Sequence, residues 1–292
     1  MLMNKFHRRG FIAAGLGAVA QGFAGPALAQ DSETVLKGIE ARLGGRAGLA
    51  ALDTGSGAEL LWRADERFAM CSSFKWLLAA SVLARVEKGA LSLSQEISYS
   101  SSVLLGHSPV TAAHVKEGRL SIEALCAAAV EESDNGAANL LLERIGGPEA
   151  WTRYVRSTGD KVSRLDRNEP KLNENRPGDP RDTTTPNAVV RTMKAVLLGE
   201  ALRESSRAKL ENWLKNCRTG EARLRKGVPA SWIEGDKTGT GARGATVDNA
   251  IFWPPGRKPI LVAAYLSDSH QKVEMLEAGL AEMGRLVAAR FA

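Results

Sequence analysis

A serine and a lysine three positions apart, Ser72 and Lys75, are the first residues whose types and spacing suggest chemistry. On a helix this spacing places both side chains on one face. A serine at a helix start lies among backbone N–H groups that can stabilise an oxyanion formed by attack on a carbonyl. The lysine is embedded in the apolar run 74–78, so it must be paired or have a lowered pKa, and either condition suits proton transfer. Alone the pair is a weak signal, because such a lysine can also extend its charge to solvent.

The triplet Ser133-Asp134-Asn135 is a second candidate group, directly before Gly136 and an apolar periodic run. Small polar residues in this position are typical of a loop that ends at a helix start. The functional interpretation gives Ser133 a proton-relay role and Asn135 an amide that holds a substrate carbonyl or amide. The structural alternative is an ordinary cluster of residues that caps the helix.

A third group, Lys237-Thr238-Gly239-Thr240, ends a predicted strand. A strand edge can offer backbone N–H and C=O groups to a substrate that docks like an added strand. Lys237 and the two threonine hydroxyls could bind a carboxylate, and Gly239 permits close approach of the backbone. By itself this triplet is common on protein surfaces.

Taken together and in this order, the motifs S-x-x-K, S-D-N and K-T-G resemble those of the penicillin-recognising serine enzymes. The stretch Arg164–Asn173, with its E-P-x-L-N core, resembles the omega loop of class A β-lactamases. By that resemblance Glu169 and Asn173 hold the hydrolytic water, and Arg167 and Asp182 form an ion pair that closes the neck of the loop. The chain is thereby identified as a member of the class A β-lactamases, which the resemblance covers over essentially the whole mature length.

The resemblance implies a two-step reaction. Ser72 attacks the lactam carbonyl, the ring nitrogen is protonated through a relay that involves Ser133, and Glu169 then activates water to hydrolyse the acyl-enzyme. Backbone N–H groups of Ser72 and Thr240 would form the oxyanion hole. The base for the first step, Lys75 or Glu169 acting through water, stays open.

Two departures from the family pattern concern the substrate carboxylate and the cleft wall. Many members place an arginine on the strand after K-T-G, where this chain has Thr246. Arg223 resembles the substitute arginine of carbapenem-hydrolysing members, and the alternative is a surface arginine. His107 stands where the family usually has an aromatic wall, and its ring could stack on substrate.

The three cysteines, Cys71, Cys126 and Cys217, form no metal-binding spacing. Cys71 resembles the half-cystine of several carbapenemases, whose partner position is here Gly241. The usual partner position of Cys126 is here Ala79. We therefore expect unpaired thiols, with a single disulfide as the alternative in an oxidising compartment.

Hydrophobic periodicity indicates the elements that must position these residues. Alternation predicts strands over 48–54 and 58–64, and strand character returns over 231–239, 245–253 and 259–267. Helical patterns cover 74–87, 121–132, 136–145, 186–198, 204–217 and 271–290. Strands at both ends of the chain with helices between predict a two-lobed α/β (α+β) protein with its cleft at the lobe junction. The resemblance implies an antiparallel five-stranded sheet flanked by terminal helices, beside an all-helical lobe. We expect the α/β lobe at about 30–62 and 216–292, and the helical lobe at about 63–215.

The N-terminal residues 1–29 are predicted to be a signal peptide of twin-arginine type, with Sec export as the alternative. Lys5, Arg8 and Arg9 precede the apolar stretch 11–20, and Ala27-Leu28-Ala29 is typical of a cleavage site. Glycines interrupt the apolar stretch well short of the roughly 20 residues that a spanning helix needs. We expect cleavage after Ala29 and a periplasmic enzyme.

Composition excludes several other classes of protein. The formal charge of the whole chain is +6, and the charges of opposite sign are interspersed, which does not favour nucleic-acid binding. The histidines form no ligand cluster, so we expect no metal and no cofactor; they are His7, His107, His114 and His270. We expect a monomer that binds β-lactam small molecules, with no membrane contact after signal removal.

Three rival functions share part of this pattern. A D-Ala-D-Ala carboxypeptidase or transpeptidase would share the three motifs but lack Glu169 in its loop. A β-lactam sensor would need an anchor or a signalling domain. A nonspecific serine esterase would need neither K-T-G nor S-D-N.

Overall fold

A computed structural model describes Met1 and residues 25–291, with side chains from residue 32 onward. Apart from Met1, the predicted signal peptide of residues 1–29 lies outside the residues with described side chains. Within the described part, no helix is both long and apolar enough to cross a membrane.

Helices and strands alternate along the described chain as follows. The helices are α1 (Gly25–Leu43), α2 (Lys75–Glu87), α3 (Pro109–Ala113), α4 (Ile122–Glu131), α5 (Asn135–Ile145), α6 (Gly147–Ser157), α7 (Pro186–Met193), α8 (Glu204–Lys215), α9 (Leu224–Gly227) and α10 (Val273–Phe291). The strands are β1 (Arg46–Asp53), β2 (Glu59–Trp62), β3 (Phe68–Ala69), β4 (Glu96–Ser98), β5 (Arg119–Ser121), β6 (Thr183–Thr184), β7 (Ile233–Thr240), β8 (Thr246–Trp253) and β9 (Ile260–Ser267). Short 3-10 turns lie at Cys71–Phe74, Ser101–Val103 and Lys171–Asn173, and a π turn covers Lys194–Leu198.

Five strands form one antiparallel sheet in the order β2-β1-β9-β8-β7. Side chains alternate between its two faces, as the period of a strand requires. One face packs on the terminal helices α1 and α10 through residues such as Phe252 and Val262, and the other packs on the helical lobe through Ile251 and Tyr265. The expected two-lobed fold is confirmed.

Strand β7 lies at the edge of this sheet, next to the helical lobe. Its backbone pairs with β8 on one side only, with Lys237 opposite Asn249 and Thr238 opposite Asp248. Within the described residues, the other side of β7 pairs with no strand; that its K-T-G segment binds a substrate there stays a prediction.

Helix α2 is the central helix of the helical lobe, because its residues from Lys75 to Leu83 are all buried. Trp151 of α6 packs against Phe74 in an edge-to-face contact with ring centroids 6.3 Å apart. The Trp151 indole N–H also donates to the Phe74 carbonyl oxygen at 3.2 Å. This contact holds the turn before α2 against the lobe, so the position of Ser72 is set by buried packing.

The predicted strands and helices are confirmed to within a few residues, but α1 and α6 were not predicted, nor were the short helices α3 and α9 and the short strands β3 to β6. Gly146, with a φ of 97°, ends α5, and Gly147, with a φ of 82°, is the first residue of α6. The predicted helix 186–198 is α-helical only to Met193 and then widens into the π turn.

Candidate active site

The 3-10 turn before α2 presents Ser72 to the edge of the sheet. Cys71 has a φ of 46°, a left-handed conformation that surrounding packing must maintain in a residue other than glycine. A Cβ atom added to Gly239 would lie 2.7 Å from the Met70 carbonyl oxygen and 3.1 Å from the Ser72 nitrogen. Only glycine therefore allows β7 to approach the turn this closely.

Lys75 lies beneath Ser72 with none of its surface exposed. Its Nζ atom lies 2.9 Å from Ser72 Oγ and 3.0 Å from Glu169 Oε1. It also donates to the Ser133 carbonyl oxygen at 2.7 Å and to Asn135 Oδ1 at 2.6 Å. Burial lowers the pKa of Lys75 to about 8, although the Glu169 carboxylate acts in the opposite direction. The lysine is thus not a solvent-directed side chain.

The S-D-N triplet serves both the helix and the cleft. Asp134 caps α5, accepting from the Ala137 N–H at 2.8 Å, and it also accepts from the Thr111 N–H at 2.8 Å. Ser133, with a φ of 58°, is turned toward β7, where its Oγ accepts from Lys237 Nζ at 3.1 Å. Burial lowers the pKa of Lys237. The helix-capping alternative is therefore right for the aspartate, while its two neighbours reach the cleft.

Glu169 enters the site from the long loop, and hydrogen bonds hold both its carboxylate oxygens and its backbone. Its Oε1 accepts from Ser72 Oγ at 3.0 Å, and its Oε2 accepts from Asn173 Nδ2 at 2.6 Å. Its backbone N–H donates to Asn139 Oδ1 at 3.0 Å, and Asn139 Nδ2 donates to its carbonyl oxygen at 3.0 Å. Sequence reasoning missed Asn139; the available signal was an asparagine one helical turn after Asn135, on the same face of α5.

The neck of this loop carries the ion pair that the resemblance implied. Arg167 Nε lies 2.5 Å from Asp182 Oδ2, and Asp182 is fully buried. Asp182 Oδ1 also accepts from the backbone N–H groups of Asp166 and Arg167 at 2.7 and 2.9 Å. With this number of hydrogen bonds the pair is a buried structural element and differs from two solvated charges.

Arg223 is buried beside the end of β7, with 4% of its surface exposed. Its Nη1 donates to the carbonyl oxygens of Gly239 and Val247 at 2.9 and 2.7 Å, and its Nη2 donates to Thr240 Oγ1 at 2.7 Å. Its Nε lies 3.3 Å from Glu277 Oε1. The surface alternative for this arginine is therefore wrong.

These groups meet in a cleft of about 410 Å³. Its lining includes nine of the residues predicted from sequence, namely Ser72, His107, Ser133, Asn135, Asn173, Arg223, Thr238, Gly239 and Thr240. Lys75, Glu169 and Lys237 contact these residues from below. A larger cavity of about 580 Å³, lined by Leu105, Asn139 and Asn168 among others, contains none of the predicted catalytic residues.

Three further residues line the cleft that sequence reasoning did not identify: Thr219, Val273 and Glu277. Thr219 Oγ1 lies 2.5 Å from Thr238 Oγ1, so the two hydroxyls are hydrogen-bonded. His107 lies exposed at the mouth, with its Nε2 2.9 Å from the Glu132 carbonyl oxygen. No motif points to Thr219, because a single threonine in a loop has no periodic or spacing signal.

All three cysteines are buried and unpaired, as expected. Burial raises the pKa of Cys71 to about 12, so it is a neutral thiol. A Cβ atom added to Gly241 would lie 2.7 Å from Cys71 Sγ, so the partner position implied by the resemblance is adjacent. The described residues contain no cluster of three or more His, Cys, Asp or Glu side chains suited to a metal ion.

Comparison with known proteins gives one consistent family. The profile described as "Beta-lactamase enzyme family" matches residues 29–291. The β-lactamase CTX-M-8 of Citrobacter amalonaticus is 45% identical over 261 residues, which are 89% of each chain. The imipenem-hydrolyzing β-lactamase of Enterobacter cloacae is 44% identical over 253 residues, 86% of each chain.

Solved structures agree with the sequence relatives. The ancestral Gram-negative class A β-lactamase superposes with a TM-score of 0.87 at 52% identity, covering 90% of this chain and 100% of that one. The putative class A β-lactamase PenP of Rhodopseudomonas palustris gives a TM-score of 0.86 at 46% identity, covering 91% and 100%.

Proposed function

Because the chain belongs to the class A β-lactamases and is therefore a serine β-lactamase, we propose that it opens the lactam ring through an acyl-enzyme on Ser72. One observation carries this assignment. Ser72 Oγ lies within 3.0 Å of both an amine, Lys75 Nζ, and a carboxylate, Glu169 Oε1. Two proton acceptors at one hydroxyl suit a reaction in which one acts in acylation and the other in deacylation.

Lys75 is the proposed base of acylation. Two of its N–H groups are used by the carbonyl oxygen of Ser133 and by Asn135 Oδ1. The remaining position faces Ser72, where the neutral amine would direct its lone pair. With a pKa of about 8, a fraction of the side chain is neutral at pH 7.

The oxyanion of the tetrahedral intermediate is proposed to accept from the backbone N–H groups of Ser72 and Thr240. The close approach at Gly239, where an added Cβ would lie 3.1 Å from the Ser72 nitrogen, supports this pairing. Each such donor contributes about 3 kcal/mol in comparable enzymes. Backbone donors cost no reorganisation, because the strand and the turn already hold them.

Ser133 is proposed to protonate the ring nitrogen as the C–N bond breaks. Its Oγ accepts from Lys237 Nζ at 3.1 Å, which leaves its own hydrogen free to be donated to the leaving nitrogen. The buried Lys237 cation also stabilises negative charge at that end of the cleft.

Glu169 is proposed to activate the water that hydrolyses the acyl-enzyme, with Asn173 as the second ligand of that water. The 2.6 Å contact between Asn173 Nδ2 and Glu169 Oε2 supports this, because it orients the carboxylate toward Ser72.

The substrate carboxylate is proposed to bind at the Arg223 end of the cleft. Thr238 and Thr240 present hydroxyls there, and the guanidinium beneath them supplies positive charge. His107 would form the opposite wall. We propose penicillins, cephalosporins and carbapenems as substrates, since one relative is named as imipenem-hydrolyzing.

We also propose that the enzyme is exported to the periplasm, cleaved after Ala29, and acts as a monomer. The proposed lobes are about 30–62 with 216–292 for the α/β lobe, and about 63–215 for the helical lobe. The two hydrophobic clusters, one around Phe252 and one around Phe74, support two lobes.

Nitrocefin hydrolysis by the purified protein tests the proposal, with Ser72→Ala as the matched control. We expect multiple turnovers by the native protein and none by the variant. Burst acylation without turnover would instead favour a penicillin-binding protein or a sensor.

A further inference from the structure

The long loop that carries Glu169 touches the turn between β7 and β8, residues 241–245. The Ala242 N–H donates to the Asn173 carbonyl oxygen at 2.9 Å. A Cβ atom added to Gly241 would lie 2.8 Å from the same oxygen. The loop and the turn are therefore in direct contact at the residue that orients Glu169.

Two residues further along the loop, Asn175 extends its side chain across this contact. Its Nδ2 donates to the Ala242 carbonyl oxygen at 3.1 Å and to Ser267 Oγ at 3.0 Å, with the Arg243 carbonyl oxygen at 3.4 Å. Its Oδ1 accepts from Ser267 Oγ at 3.3 Å. One amide thus joins the loop, the turn and the end of β9.

The backbone of Asn175 is held in an uncommon conformation, with a φ of 46°. Asparagine adopts left-handed φ values more readily than other side chains except glycine. A position that combines this backbone with two or more side-chain hydrogen bonds is well determined by its surroundings. The loop therefore has little freedom to shift at residue 175 while these bonds persist.

The groups that Asn175 binds are themselves anchored to the sheet. Ser267 is the last residue of β9, and its Oγ lies 3.1 Å from Asp268 Oδ2. Asp268 Oδ2 accepts in turn from Arg46 Nε of β1 at 3.0 Å. The Ser269 N–H donates to the Arg243 carbonyl oxygen at 3.2 Å, which ties the turn to the same end of the sheet.

We infer that Asn175 is a positioning residue for deacylation: it fixes Asn173 and, through it, the carboxylate of Glu169. Asn175 does not line the cleft and touches no reacting atom. Its effect would pass through the 2.6 Å contact between Asn173 Nδ2 and Glu169 Oε2. The inference rests on the proposed role of Glu169 in hydrolysis of the acyl-enzyme.

Two substitutions separate the amide from the backbone. Asn175→Gly keeps the left-handed conformation accessible and removes every side-chain bond. Asn175→Asp keeps the shape but replaces the donor by an acceptor that faces the Ala242 carbonyl oxygen. Asn187→Asp is the matched control, because it makes the same chemical change outside the cleft. There Asn187 Nδ2 donates to Asp65 Oδ1 at 2.8 Å on an exposed surface.

We expect both Asn175 variants to deacylate about tenfold more slowly, with acylation within about twofold of the native rate. In a two-step acyl-enzyme mechanism, slower deacylation lowers kcat and KM together and leaves kcat/KM unchanged. Stopped-flow acylation, intact mass of the quenched enzyme and steady-state kinetics measure these quantities. A role in stability alone would lower Tm without producing this split.

Deacylation at the native rate in both Asn175 variants overturns the inference, as does an equal loss of acylation and deacylation. Glu169→Ala is measured beside them, so that failure of the positioning role of Asn175 can be distinguished from failure of the proposed role of Glu169 in deacylation. If that variant stalls as an acyl-enzyme while the Asn175 variants do not slow, only the positioning role fails. If Glu169→Ala turns over like the native enzyme, the proposed function of Glu169 fails, and the inference fails with it.

Discussion

Glu169→Gln removes one negative charge from the site while keeping the shape of the side chain. The lost charge lies 3.0 Å from Lys75 Nζ. With an effective dielectric constant of about 20, two unit charges at this distance attract by about 5 kcal/mol, equivalent to about 4 pKa units. Because the pKa of Lys75 starts from about 8, the substitution is expected to move it well below 7. Lys75 would then be a neutral amine at neutral pH.

The variant is therefore expected to acylate but not to deacylate. Neutral Lys75 still accepts the Ser72 proton, so acylation stays near the native rate. Loss of the general base for water slows deacylation by roughly 10² to 10⁴-fold. In the native enzyme, kcat/KM for acylation should rise with pH up to about 8, and in the variant this rise should move to lower pH.

Stopped-flow absorbance with nitrocefin and intact mass of the quenched enzyme measure the two steps separately. The expected record is a burst of one product per active site, followed by very slow turnover and a persistent covalent adduct. If acylation falls as steeply as deacylation, Glu169 and not Lys75 removes the Ser72 proton. Turnover at the native rate would refute the assignment of Glu169 to either step.

Three further predictions concern binding, the thiol and stability. Arg223→Ala should lower kcat/KM about tenfold, mainly through KM. Steady-state kinetics measure this, with Arg223→Lys as the control. If Arg223→Ala has the same kinetics as the native enzyme and as Arg223→Lys, its role in binding is contradicted. Gly241→Cys places a thiol next to Cys71 Sγ, which lies 2.7 Å from the added Cβ, and should form a disulfide. Titration of that unfolded, unreduced variant should find two thiols among its four cysteines; four would contradict the contact. Burial and two neighbouring aspartates raise the pKa of Glu234 to about 9, despite the Arg225 guanidinium 2.8 Å away. The stability that this group contributes is thus complete below the unfolded pKa of 4.5 and is lost as pH rises through about 9. The Tm of Glu234→Gln should therefore depend less on pH than the Tm of the native protein. Equal slopes of Tm against pH for the two proteins would contradict this.

Much of the fold could be predicted because the pattern of burial is local. Residues 245–253 have the β-branched and aromatic character of a strand, and nearly all of β8 is buried because one face packs on the terminal helices and the other on the helical lobe. Helix α6 was missed because its apolar residues, Trp151, Tyr154 and Val155, form a narrow stripe among charges. The spacing of this stripe is helical, but no long apolar run draws attention to it.

The candidate site was predicted as a set of residue types and not as a set of contacts. Arg223 had two interpretations, because an arginine in a charged stretch has the same local pattern whether it is exposed or buried. Packing against the carbonyl oxygens of β7 and β8 decided between them. Asn139 had only a weak signal, its position one helical turn after Asn135, and Asn175 had none, since the partners of both lie far away along the chain.

The sequence by itself determined the chemistry available to this protein. Ser72 and Lys75 are one helical turn apart, so their proximity follows from helix geometry alone. Only the tertiary structure decided that Ser133 and Glu169 contact them and that Lys237 contacts Ser133, because these three residues come from separate parts of the chain. The lowered pKa of Lys75 has the same origin: it depends on burial beneath all of these elements, and no local stretch of residues can supply that burial.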